Sequence, residues 1–151
     1  MSKGLCIFLP ALVIGCSAFV FANRVGAGVR EDSLFLTGAR SQQLTIVRAS
    51  LEQGAYVNSR DELAGIPLMW SAFHGPLAIM EVLIVRGATV NVGDKMGQAA
   101  LVWVAITGRE VGVEAPLGAE ADPSIRDANG MYAAERAAQE GHNLLSQSLK
   151  T

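Results

Sequence analysis

The chain has 151 residues, with 12 basic and 14 acidic side chains, two cysteines and two histidines. That length admits one ordinary domain or one short repeat array, not a multidomain enzyme. A chain that is 50% hydrophobic and 17% charged is neither disordered nor collagen-like, and the lack of a basic excess excludes a nucleic-acid binder held by phosphate neutralisation.

The first element is an apolar run. Lys3 supplies a positive start, Gly4 to Phe21 carries no charge, and Val20-Phe21-Ala22 places short side chains three and one before a cut after Ala22. This pattern predicts a signal peptide over 1–22, and hence an exported chain that works in the periplasm or outside the cell. Two alternatives stay open. Val13-Ile14-Gly15-Cys16 resembles a bacterial lipobox with Cys16 as the acylated residue. The run is also just long enough to remain as an uncut anchor helix, and only these two alternatives bring the chain to a membrane. Cys6 and Cys16 both lie in this segment, so the chain after Ala22 has no disulfide, no thiol nucleophile and no cysteine zinc ligand. Residues 23–32 read as a flexible lead-in.

A period of 33 organises the rest. GAYVNSRD (Gly54 to Asp61), GATVNVGD (Gly87 to Asp94) and EADPSIRD (Glu120 to Asp127) align at that spacing. So do Ala72, Ala105 and Ala138, and Gly75, Gly108 and Gly141; Leu68 and Leu101 share a column with Ala134. Asp61, Asp94 and Asp127 each open a unit, and Asp94-x-x-Gly97 and Asp127-x-x-Gly130 are turn signals, since Asp bonds its own backbone and Gly accepts positive φ. A short helix follows, as in PLMWSAF from Pro67, a residue that fits the first helical turn. A second helix is plainest in LAIMEVLIVRG, where Ile79, Met80, Leu83 and Ile84 keep helical spacing and Gly87 stops the run. Two such helices cannot bury their apolar faces alone; stacked neighbours can.

The period, the turn, GIPLMWSAFHG and the ending GATVNVGD resemble the ankyrin repeat, whose pattern runs Asp-x-x-Gly-x-Thr-Pro-Leu-His-x-Ala-Ala, Gly-His, Val-x-x-Leu-Leu, Gly-Ala-Asp-Val-Asn. The resemblance covers three-quarters or more of the chain. It implies an all-α fold: an ankyrin-type helix-turn-helix solenoid of about four repeats with protruding turn loops. The domain would span 33–151, with repeats at 28–60, 61–93, 94–126 and a capping 127–151. The departures are specific. Ile66, Ala99 and Tyr132 replace the capping Thr, and Met69, Val102 and Glu135 replace the His. The second-helix Leu is Leu83 and Leu149 in two repeats, but Ser50 and Pro116 in the others. Pro116 falls inside a predicted helix Glu110 to Ala119, where an interior proline costs about 3 kcal/mol. Glu120 holds the column of Gly54 and Gly87. The third repeat is therefore expected to be the weakest, and to loosen the fourth.

Chemistry is sparse. His74 and His142 fall in different columns, so no convergent zinc set forms; His142 takes the structural Gly-His place, and His74 reads as an exposed side chain. Asp127-Ala128-Asn129-Gly130 is only a fragment of a calcium loop, Gly26-Ala27-Gly28 lacks the rest of a phosphate loop, and no Gly-x-Ser-x-Gly elbow occurs. Asp61-Glu62 reads as a solvated turn pair. No catalytic residue, metal or cofactor is expected; an enzyme or metal protein using His74 is the remaining alternative. The resemblance instead implies a partner protein held on turn tips and first-helix positions. The turn columns are Glu62, Leu63, Gly65; Lys95, Met96, Gln98; and Ala128, Asn129, Met131. The helix columns are Arg40, Ser41; Phe73, His74; Ile106, Thr107; and Gln139, Glu140. The expected contact set is Leu63, Phe73, His74, Lys95, Met96, Gln98, Ile106, Thr107, Asn129 and Met131, with Trp70 and Trp103 packed beneath it.

Overall fold

Each helix among the described residues is two and a half turns or shorter, too short to persist in water without tertiary packing. In the computed structural model, which describes residues 32–150, every regular segment is nonetheless helical; among these residues there is one isolated antiparallel bridge, Arg126 with Tyr132, and no strand. The helices are α1 (32–40), α2 (Leu44–Glu52), α3 (Pro67–His74), α4 (Leu77–Val85), α5 (Ala100–Thr107), a 3-10 turn Glu110–Gly112, α6 (Glu114–Gly118), α7 (Ala133–Gln139) and α8 (Asn143–Ser148). The predicted signal peptide, its Cys16 alternative and nearly all of the lead-in lie outside the described residues. Asp32, assigned by sequence to the lead-in, belongs to α1, and its carboxylate accepts the Tyr56 amide at 2.7 Å.

The spacing of 33 recurs in the helices. α3 and α5 start and end 33 residues apart, as do α2 and α4, and α7 starts 33 after α5. α3, α5 and α7 pack in one row; α2, α4 and α6 pack in a second; α3–α4, α5–α6 and α7–α8 join the rows. The columns read from sequence become the core. Ala39, Ala72 and Ala105 are fully buried and let successive helices approach, whereas Ala138 is exposed. Leu68, Leu83, Leu101, Ile79 and Met80 fill the space between rows, each worth about 1.5–3 kcal/mol by removal from water. Ser50, in the column of Leu83, is buried too, and its hydroxyl has no hydrogen-bond partner.

Adjacent units are also clipped through asparagine. Asn58 Oδ1 accepts the Thr89 amide at 2.8 Å and its Nδ2 donates to the Gly87 carbonyl. Asn91 does the same to the Asp122 amide, at 2.7 Å, and the Glu120 carbonyl. His142 reaches across to α5, its Nε2 3.2 Å from the Ile106 carbonyl. Its ring occupies the space a side chain at Gly108 would need, which a built Cβ would enter at 2.4 Å.

The third unit departs from the expectation in one respect. Glu110 to Ala119 is not one helix with an interior proline; it is a 3-10 turn followed by a five-residue α6. Pro116 is the third residue of α6, in the turn whose N–H groups have no partner within the helix, so it breaks no bond there. The cost is a shorter helix. The fourth unit packs on the third through α5 and α7. Glu120 does adopt the left-handed conformation of its column, at φ 62°, beside 98° at Gly54 and 84° at Gly87. An L side chain at such φ costs on the order of 1 kcal/mol. Glu120→Gly is therefore expected to raise stability by about 1 kcal/mol in urea melts, and Glu120→Ala to leave most of that gain unrealised. Pro116→Leu should also raise the melting temperature, by a few degrees, by letting Glu110 to Gly118 close into one helix; an unchanged or lower temperature would count against it.

Candidate partner-binding surface

The turns are built around one carboxylate each. Asp61 Oδ1 accepts the amides of Leu63 (2.8 Å) and Gly65 (2.9 Å). Asp94 Oδ1 accepts those of Met96 (2.8 Å) and Gln98 (3.0 Å), and Asp127 Oδ1 those of Asn129 (2.8 Å) and Met131 (3.1 Å). The second oxygen reaches a side chain nine residues on, in the following helix. Trp70 Nε1 donates to Asp61 at 2.7 Å, Trp103 Nε1 to Asp94 at 3.2 Å, and Arg136 Nε to Asp127 at 2.6 Å. Each aspartate thus ties its turn to its own unit. The turns in addition bond to each other, since the Lys95 amide donates to the Leu63 carbonyl and the Ala128 amide to the Met96 carbonyl.

These aspartates correct the reading of Asp61 as a solvated turn charge. Its side chain is 4% exposed and that of Asp127 is 0% exposed, and both are salt-bridged, Asp61 to Arg40 at 2.8 Å and Asp127 to Arg136. Burial pushes the Asp61 carboxyl up, but donation by Trp70, Gly65, Leu63 and Arg40 outweighs it and holds the group below its ordinary value. Burial also opposes ionisation of Asp127, and the Met131 amide, Arg136 and the Asn129 amide again bring the net shift downward. The signal was present in the sequence: Asp61–Trp70, Asp94–Trp103 and Asp127–Arg136 repeat one nine-residue spacing.

Above this base lies a ladder of rings. Arg40 sits over Trp70, 4.6 Å from the ring centroid; Trp70 and Trp103 are 6.4 Å apart; Phe73 meets Trp103 edge-on at 4.9 Å. Arg40 and Phe73 share a column, so each packs on the indole thirty residues ahead of it. Leu63 and Met96 project from adjacent turns, 56% and 51% exposed. Lys95, Asn129 and His74 are exposed, the last with its ring against Phe73; Ile106, Thr107 and Met131 are half-buried. Gln98 is the exception in the expected set. It is 9% exposed, and it contributes its backbone amide to Asp94. The rim residues Glu62, Ala128, Ser41, Gln139 and Glu140 are exposed, and Gly65 is buried under the Asp61 turn.

The opposite face carries apolar surface that the sequence reading missed. Val85 and Val111 are exposed and line a shallow cleft of about 300 Å³ with Leu77, Ile84 and Ala115, edged by Glu81 and Glu114. Among the described residues no three His, Cys, Asp or Glu side chains converge on a possible metal position, and no helix is long and apolar enough to cross a membrane. No protein-family model matches the chain, and no curated protein matches it either.

The lowered carboxyls of Asp61 and Asp127 give a signed pH dependence. A group whose folded pKa lies below its unfolded one adds stability above the ordinary aspartate value of 3.8 and loses it as pH falls through the folded value. The melting temperature is expected to drop as pH falls below about 4. Asp127→Asn should start lower at pH 7 and drop less on acidification; parallel curves for the two proteins would refute the assignment.

Proposed function

We propose that this chain is an ankyrin-type solenoid that binds another protein, with no catalytic step, on the face formed by its turn tips and the row α3, α5 and α7. The observation that carries the reading is the pair of exposed apolar side chains on adjacent turns, Leu63 and Met96, with the half-buried Phe73 and Ile106 on the helices behind them. Apolar residues grouped in this way on a surface mark contact sites, and aromatic and methionine anchors dominate their energetics. The hydrogen-bonded turns beneath hold them in place before any partner arrives, which lowers the ordering cost of association. The helix register of 33 and the pairwise stacking support the repeat assignment.

Export after cleavage behind Ala22 is part of the proposal and rests on the N-terminal residues alone. A tethered form, through an acylated Cys16 or an uncut apolar segment, is the second reading, and would restrain a partner at the cell envelope. The N-terminal mass of the protein recovered from cells separates them: Asn23 at the start supports the free form, and a lipid-bearing Cys16 the tethered one.

Affinity capture from native envelope material tests the binding face. The chain from Asn23 onward is expected to retain a discrete partner that a Phe73→Asp, Ile106→Asp double variant loses by at least about tenfold, with the variant's helical circular dichroism unchanged. Equal capture by both would remove the assignment of this face.

A further inference from the structure

The three turn aspartates are equivalent in the repeat but differ in their charge balance. Asp61 meets Arg40 and Asp127 meets Arg136. Among the described residues, Asp94 has no ion pair; its second oxygen receives only the Trp103 indole, and at a longer distance than Asp61 receives Trp70. The reason lies in the columns. The position that supplies Arg40 to the first turn supplies Phe73 to the second, and the helix position that supplies Arg136 to the third supplies Trp103. Lys95 is next in the chain, but its side chain is exposed and forms no ion pair with Asp94. A carboxylate has about four acceptor directions, and Asp94 uses three.

Asp94 also lines a cavity of about 40 Å³, walled by Leu63, Gly65, Met69, Trp70 and Trp103. Two indoles and a carboxylate on the wall of one recess are the parts of a receptor for a cation: aromatic rings attract it through their quadrupoles and a carboxylate by charge. Arg40 already makes this arrangement from within the chain at the neighbouring turn, lying over Trp70 with its guanidinium on Asp61. We propose that the Asp94 recess takes an arginine or lysine side chain of the polypeptide bound on this face, repeating between two molecules what Arg40 does within one. The proposal rests on the partner-binding reading and names the feature of the partner that the face selects.

The chain has two tryptophans, so its two indole N–H resonances report Trp70 and Trp103 separately, assigned with Trp70→Phe. N-acetyl-arginine methylamide, titrated into the folded chain, should shift the Trp103 signal saturably, with a dissociation constant on the order of millimolar, and the Trp70 signal much less. N-acetyl-citrulline methylamide, of the same shape but neutral, should not shift it. Asp94→Asn keeps an acceptor for the Met96 and Gln98 amides and should weaken the arginine effect about tenfold or more. Phe73→Arg, which supplies the cation from within, should abolish it while leaving the fold intact. An unmoved Trp103 signal, an equal response to citrulline, or a shift that survives both variants would overturn the proposal. Capture of a protein that depends on Phe73 and Ile106 but not on Asp94 would overturn it too, while leaving the binding face standing. An arginine response without any captured protein would support the recess and remove that reading of the face.

Discussion

One carboxylate per unit holds this structure in register. Asp61, Asp94 and Asp127 each spend one oxygen on two amides of their own turn and the other on a side chain of the helix that follows. Taking a charge out of water is costly unless donors replace the lost solvent, and at the buried side chains of Asp61 and Asp127 this is done by amides, an indole and arginines. The backbone bonds from Lys95 to Leu63 and from Ala128 to Met96 set neighbouring turns side by side. Every side chain at the tips and along the first helices inherits its position from that arrangement.

The two rows of helices carry unequal regularity. α3, α5 and α7 keep the period and rest on tight alanine columns. The second row carries an unpartnered hydroxyl at Ser50, the split at Pro116 and left-handed backbone at Glu120, while left-handed backbone without glycine also occurs at Gln42 and at Ala64 in the Asp61 turn.

Much of this was legible from residues alone, for a definite reason. A repeat forces the same side chain into the same environment several times, so Leu68 with Leu101, or Asn58 with Asn91, report their role by recurring. The nine-residue link from each aspartate was equally periodic, yet an aspartate at a turn reads as solvated until its donors are placed around it. Gln98 misled in the other direction. It sits in a variable turn column, but the fold carries that position beneath the turn rather than onto its tip.

The sequence by itself determined the period, the paired short helices, the buried columns and the places where the pattern fails, because these depend on spacing along the chain and on which side chains avoid water. Only the tertiary structure decided which charges are matched. Arg40 reaches Asp61 across units, 21 residues away, while Phe73 takes the corresponding place at the next turn, where the second oxygen of Asp94 receives the Trp103 indole. Such pairing depends on distances between side chains of different units, and it is packing that sets those distances.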